Sequence, residues 1–318
     1  MPVNGFDPAT LDAPHRDPDG TFFNPWGRIT VRFADLLRWK LGPNKYRDLP
    51  KPPIPRVTND GVYLKRPDEP DSLTWVGHST FAIQDGGDVV LTDPHWSLRA
   101  LVPKRQSAPG IPFEAVSQAK FAILSHDHYD HLDDQTVRRL PDSLPWLVPL
   151  GLGSWFAKRG KQATELDWWQ SATIGRWRLT CVPVQHWSRR RFQANRTLWA
   201  GWLLDSGRRR YFFAGDSGAF GGFAEIGRRL APIDVAMVPI GAYEPRWFMS
   251  YQHMDPAEAY QAFLDLGAKH MVPMHWGVFD LTDEPVGLAP HVLAEHLARL
   301  GGDPRVRTLA IGERWMLP

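Results

Sequence analysis

The stretch Ser125-His126-Asp127-His128-Tyr129-Asp130-His131-Leu132-Asp133 places four metal-capable side chains within six residues, spaced H-x-H-x-D-H. On extended backbone, residues two apart point to the same face. His126 and His128 are therefore set to grip one cation. The turn that follows swings Asp130 and His131 to the other side, where they are placed to hold a second. Three imidazoles and a carboxylate favour zinc, although iron or manganese accepts the same donors. A solvated polar loop is the competing reading, and the flanks speak against it. Phe121-Ala122-Ile123-Leu124 is an apolar run suited to a buried strand. Gln135-Thr136-Val137-Arg138-Arg139-Leu140 reads as a helix, with Asp133 or Asp134 as its cap. The motif thus sits on a loop at the carboxyl end of a strand, where α/β proteins build sites.

Three further candidates occupy similar places. His186 follows Cys181-Val182-Pro183-Val184, Asp216 follows Tyr211-Phe212-Phe213-Ala214, and His275 follows Met271-Val272-Pro273-Met274. Taken singly, each is as readily a satisfied core or surface residue as a ligand. With the motif they complete a two-metal set. His126, His128 and His186 would hold one ion, and Asp130, His131 and His275 the other. Asp216 would bridge them, because a carboxylate has two oxygens to share. A pair of cations of this kind lowers the pKa of a bridging water and provides hydroxide near neutral pH.

The chain has 318 residues, 43% of them hydrophobic, enough for one large or two closely packed units. The net charge of +2, from 37 basic and 35 acidic residues, lacks the basic excess of a nucleic-acid binder. A single cysteine, Cys181 in an apolar run, excludes an internal disulfide framework and reads as an inert core thiol. Met1-Pro2-Val3-Asn4-Gly5-Phe6-Asp7 lacks the charged-then-apolar pattern of a secretory signal. No apolar run approaches membrane-spanning length. The cytoplasm is the expected compartment, with room for peripheral contact at the inner face of a membrane. Fifteen tryptophans suit either a large core or a membrane interface, and burial is the simpler account.

Residues 1–70, rich in Pro, Asp and Asn with one helix near 29–41, read as an arm on a main body of 71–318. Strands are expected at 74–76, 80–83, 89–92, 121–124, 146–148, 178–184, 198–204, 210–214, 233–240, 270–274 and 306–311. Helices are expected at 152–158, from Asp255-Pro256 to Gly267, and at 290–300. Strands in runs, with helices between only some of them, imply two sheets sandwiched by helices.

The order H-x-H-x-D-H, His, Asp, His resembles the metallo-β-lactamase superfamily, whose fold is an αββα four-layer sandwich. Longer runs resemble its N-acylphosphatidylethanolamine-hydrolysing phospholipase D branch. These include Phe23-Asn24-Pro25-Trp26, Thr74-Trp75-Val76-Gly77-His78-Ser79-Thr80, Leu91-Thr92-Asp93-Pro94 and Gln185-His186-Trp187. Pro239-Ile240-Gly241-Ala242-Tyr243-Glu244-Pro245-Arg246-Trp247-Phe248-Met249, Gln252-His253-Met254-Asp255-Pro256 and His275-Trp276-Gly277 extend the match, which covers nearly the whole chain from residue 22. Asp127 departs from the Asn of the animal enzymes, and the spacing turns it away from the metals.

The resemblance implies a zinc-dependent phosphodiesterase that releases phosphatidic acid and an N-acylethanolamine. It makes His253 the catalytic histidine that assists departure of the alcohol, with Asp130 as the second catalytic candidate; by itself His253 reads equally as a loop residue. It also implies a phospholipid substrate, lipid access through the amino-terminal arm, and a homodimer. His15, His78, His95, His270, His291 and His296 read as structural or surface residues, and His78 is the one nearest the expected site. Arg189-Arg190-Arg191 and Arg208-Arg209-Arg210 read as solvated loop charge, with attraction of anionic headgroups as the rival. Arg246 reads equally as a phosphate contact or an ion pair with Glu244. A lactonase or thioesterase on the same ligands is the alternative enzyme. A nuclease would need a basic groove and an inserted domain, and a binding module without chemistry would lack ligands.

Overall fold

The computed structural model describes residues 5–28, 32–190 and 193–318. Its strands are β1 (Ser72–Gly77), β2 (Thr80–Asp85), β3 (Asp88–Thr92), β4 (Phe121–Ile123), β5 (Trp146–Pro149), β6 (Ala163–Leu166), β7 (Ser171–Ile174) and β8 (Trp177–Val182). They continue with β9 (Arg189–Arg190), β10 (Gln193–Ala194), β11 (Gly201–Asp205), β12 (Arg210–Phe213), β13 (Val235–Pro239), β14 (His270–Met274) and β15 (Arg314–Met316). The helices are α1 (Phe33–Leu41), α2 (Asp134–Arg139), α3 (Gly153–Ala157), α4 (Gly222–Leu230), α5 (Arg246–Met249), α6 (Pro256–Leu266) and α7 (Ala289–Arg299). One sheet has the order β15-β1-β2-β3-β4-β5-β6 and the other β14-β13-β12-β11-β8-β7, with β9 and β10 as a separate hairpin.

Period-two alternation divides the first sheet between two cores. Leu73, Trp75, Phe81, Ile83, Phe121 and Ile123 face the space between the sheets, where they meet Trp177, Leu179, Cys181, Trp202 and Phe213. The intervening Val76, Ala82, Leu91, Ala122 and Leu124 pack with Val137 of α2 and Phe156 of α3. Phe223 and Ile226 of α4 and Phe263 of α6 cover the second sheet. The layers are helix, sheet, sheet, helix: the αββα sandwich. Trp75, Trp146, Trp177, Trp199 and Trp202 are fully buried, so core filling accounts for much of the tryptophan content.

Parallel pairing of β3 with β4 and of β12 with β13 and β14 brings several carboxyl ends to one edge of the sandwich. The loops that leave those ends carry the predicted ligands.

Asp133 caps α2, accepting from Gln135 N, and Asp255 caps α6, which ends at the left-handed Gly267. One reading differs, one helix was not read, and one falls partly on residues outside those described. The strand expected over 306–311 does not form, because this segment crosses between the sheets: Val306 bridges Met271 of β14, whereas Ile311 bridges Arg56 beside β1. The final strand is β15 instead. Helix α4 was hidden by its two glycines; Gly227 is needed because an added Cβ would meet the Leu266 carbonyl oxygen at 2.6 Å. Of the helix read near 29–41, α1 supplies 33–41, and 29–31 lie outside the described residues.

Arm residues touch the sandwich at several points. Leu11 and Phe22 are buried, Asn24 donates to the His186 carbonyl at 2.8 Å, and Trp39 donates to Asp283 at 2.9 Å. These contacts fit the reading of residues 1–70 as an arm packed on a body of 71–318.

Candidate metal centre

Each predicted ligand leaves the end of a strand: the motif follows β4, His186 follows β8, Asp216 follows β12 and His275 follows β14. The structure brings all seven together. His126 Nε2 lies 2.8 Å from His128 Nδ1, which is 3.3 Å from His186 Nε2. The ligand atoms of Asp130, His131 and His275 lie within 4.8 Å of one another, and those of His78 share that group. Asp216 Oδ2 stands between the two sets, 3.9 and 3.8 Å from His126 and His186 Nε2, and 3.2 and 3.1 Å from His131 and His275 Nε2. His253 joins them, its Nδ1 3.9 Å from the same oxygen. Asp127 belongs to none of these groups among the described residues.

The electrostatics are those of a site built for positive charge. Burial alone would raise the Asp216 carboxyl, but the His131 and His275 imidazoles beside it outweigh that and hold it well below the carboxylate range. Burial would lower His275, yet Asp216 and Asp130 lift it to about 9. Burial, then the His131, His128 and His186 rings, push His126 well below its ordinary value. Among the described residues, no Lys or Arg lies within 4 Å of the buried Asp216 carboxylate. His128 Nε2, Asp216 Oδ1 and both ring nitrogens of His275 are buried without hydrogen-bond partners. A buried carboxylate ringed by imidazole nitrogens fits divalent cations, which would balance the charge and take up the lone pairs.

An outer layer orients the inner one. Asp93 Oδ2 accepts from His131 Nδ1 at 2.6 Å, and Asp93 Oδ1 accepts from Ser125 N at 2.7 Å. His186 Nδ1 donates to the Gln252 carbonyl at 3.0 Å. Sequence reading assigned Asp93 no role of its own, although its place just past β3 is the signal that found His186, Asp216 and His275. Left-handed backbone also gathers here: His78 (φ 56°), Asp93 (34°), Ala242 (63°) and His275 (63°). Non-glycine residues adopt this conformation at a cost and concentrate at functional sites.

The cluster opens into a cavity of about 500 Å³. His128, Asp130, Asp216 and His253 lie at its polar end, and Leu36, Trp39, Leu101, Val102, Phe248 and Leu281 line its apolar walls.

The arginines divide: Arg189 and Arg208 are exposed, as the reading of solvated loop charge expects, while others are tied into the structure. Arg246 pairs with Glu258 at 2.6 Å and donates to the carbonyls of His253 (3.0 Å) and Tyr243 (3.2 Å). It neither lines the cavity nor pairs with Glu244, whose carboxylate takes Lys45 at 2.7 Å. Arg208 and Arg209 pair with Asp71, and Arg210 pairs with Asp205. They sit at the start of β12, away from Asp216, and are structural. Arg190 braces the metal loop through the carbonyls of Asp127 (3.0 Å) and Leu132 (2.9 Å). Arg189 lines the cavity, and Arg191 lies outside the described residues.

Comparison with known proteins identifies the family. A beta-lactamase superfamily domain model matches residues 89–276. The chain is 37% identical over 268 residues to N-acyl-phosphatidylethanolamine-hydrolyzing phospholipase D 1 of Caenorhabditis elegans, covering 76% of this chain and 74% of that one. In fold it is similar to Igni18, a metallo hydrolase of Ignicoccus hospitalis, with a TM-score of 0.60 and 21% identity over 78% of this chain and 98% of that one. It is also similar to CmlA, a diiron β-hydroxylase of Streptomyces venezuelae, with a TM-score of 0.56 and 21% identity over 78% and 54% of the two chains. The chain is a metal-dependent hydrolase and belongs to the metallo-β-lactamase superfamily, in its N-acylphosphatidylethanolamine-hydrolysing phospholipase D-like branch.

Proposed function

We propose that the chain is a dinuclear zinc phosphodiesterase of phospholipase D type, converting N-acylphosphatidylethanolamine-like phospholipids to phosphatidic acid and an N-acylethanolamine. The observation that carries this reading is one cavity of about 500 Å³ that joins a polar floor, where His128, Asp130 and Asp216 of the ligand cluster and His253 are reached, to apolar walls. A reacting centre of this kind suits an amphiphile whose head reaches the floor while its chains lie on the walls. His126, His128 and His186 would hold one cation, and Asp130, His131 and His275 the other, with Asp216 shared. When bound, the pair supplies Lewis acidity toward phosphoryl oxygens and a nucleophile from water.

The chain's own residues supply orientation and charge stabilisation. Burial holds His253 down to about 3, so its ring is neutral at pH 7. A neutral ring offers one N–H, which stabilises the departing alkoxide oxygen as its charge grows. Asp130 orders the second ligand set.

The mouth suits a lipid surface. Leu36, Leu101 and Val102 line the cavity and are exposed, and Leu37 and Leu41 of α1, Leu98 of the 98–104 loop and Trp247 of α5 are further exposed large apolar residues on the same segments or beside the lining Phe248. Arg38, Lys40, Arg99 and Lys104 are interleaved with them, a pattern that fits an anionic bilayer interface. Among the described residues no helix is long and apolar enough to cross a membrane, so this reading makes the contact peripheral. A homodimer belongs to the same reading, on the strength of the resemblance.

A product assay of zinc-loaded protein on N-acylated and ordinary phosphatidylethanolamines tests the assignment, and release of phosphatidic acid is the expected result. Turnover of a lactone or thioester, with no phosphatidic acid from either lipid, would overturn it.

A further inference from the structure

His78 and Ser79 join β1 to β2, with Gly77 paired opposite Thr80. So tight a hairpin calls for left-handed backbone, which Gly and Asn adopt most readily. His78 takes that conformation, φ 56°, although its side chain is disfavoured there. Its backbone carbonyl accepts from His275 N at 3.1 Å and from Trp75 Nε1 at 2.9 Å, tasks that Gly or Asn would perform equally well. The imidazole is 1% exposed, and its Nδ1 has no hydrogen-bond partner. The hairpin alone gives no reason for such a side chain.

A reason lies at the other ring nitrogen. His78 Nε2 is 3.0 Å from Asp130 Oδ2. His131 and His275 each reach both Asp130 and Asp216 with Nε2, whereas His78 reaches only Asp130 among the described carboxylates. Among the described imidazoles within 4 Å of the Asp130 carboxylate, it alone does not touch Asp216, as expected of an orienting donor rather than a shared ligand. Asp93 orients His131 and the Gln252 carbonyl orients His186 through the ring nitrogen away from the site, whereas His78 meets Asp130 at Oδ2, the oxygen that also faces His131 and His275. We propose that His78 is a positioning residue, donating from Nε2 to the Asp130 carboxylate and fixing how that carboxylate faces the second cation. This inference rests on the two-cation reading above.

Binding of Zn²⁺ and Co²⁺ to the apo protein tests it, read by competition titration and by the visible absorption of the Co²⁺ form. H78G relieves the backbone and should fold, as the apo melting temperature will show. It should bind one equivalent normally and the other about 10–100-fold more weakly, the usual loss when an outer partner is removed. H78Q places an amide N–H near the position of Nε2 and should recover most of the affinity. H78N stops short of that position and should not. In a D130N background H78G should cost nothing further. Wild-type affinity for both equivalents in H78G, or a folded H78Q as weak as H78G, would overturn the assignment. A wild-type chain that takes up a single equivalent would instead sink the two-cation reading, and this proposal with it.

Discussion

His131 is held from both ends of its ring: Nδ1 donates to Asp93 Oδ2 at 2.6 Å, and Nε2 faces Asp216 Oδ2 at 3.2 Å. The inner nitrogen can offer its lone pair to a cation only if the proton stays on the outer one, and Asp93 keeps it there. Asp93→Ala should weaken the second equivalent of metal by about 10–100-fold and leave the first in place. Isothermal titration of the apo variant measures this. Unchanged affinity for both equivalents would show that Asp93 serves only the local fold.

His253 lines the cavity and lies outside the two ligand sets proposed above, although its ligand atom is within 4.8 Å of those of Asp216 and His275. His253→Ala should retain both equivalents of metal and lose about 10²–10³ in kcat, the scale of one missing oxyanion donor. The loss should shrink on a nitrophenyl phosphodiester, whose leaving group needs less stabilisation. Metal content and kcat on both substrates decide the point. Full turnover with full metal would remove His253 from the chemistry.

Leu101 and Val102, 61% and 73% exposed, stand at the mouth with Arg99 and Lys104 near them. A Leu101→Asp, Val102→Asp double variant should lose binding to anionic vesicles in a sedimentation assay while still turning over a soluble short-chain phosphodiester. Added salt should weaken vesicle binding of the wild-type chain. Equal vesicle binding by the two proteins would place the lipid-facing surface elsewhere.

Glu284 accepts from the backbone N–H groups of Tyr243 and Glu244 at 3.1 Å and from Thr282 at 2.8 Å. Burial pushes its carboxyl up to about 7, against the pull of those donors. The folded value lies above the unfolded one, so its contribution to stability is full below pH 4.5 and is lost as the pH rises through 7. Glu284→Gln cannot ionise and should remove this component. The difference in melting temperature between the two proteins, measured from pH 4.5 to 8, should move in favour of the variant as pH rises. A difference that does not vary with pH would show that Glu284 does not titrate across this range.

The strands were legible because a sheet buried on both faces needs short runs of apolar residues: Leu73 and Trp75 face one core, and Val76 the other. Asp255-Pro256 and Gly267 likewise announced both ends of α6, since caps and left-handed stops depend on neighbouring residues. The 306–311 segment misled because apolar alternation does not say which sheet a segment will join. The arginine runs were read without their partners: Arg208 is exposed on its turn, as expected, but Asp71, which it pairs with, lies 137 residues away.

Side-chain chemistry marked the candidate donors from residue order alone, since imidazoles and carboxylates just past apolar strands stand out against core packing. Folding settled what lies between those donors. Asp93 behind His131, His78 against Asp130 and Arg246 beneath the His253 carbonyl are contacts of a few ångströms between distant parts of the chain. Local patterning cannot encode such contacts, because strand pairing and loop paths set them only once both sheets have packed.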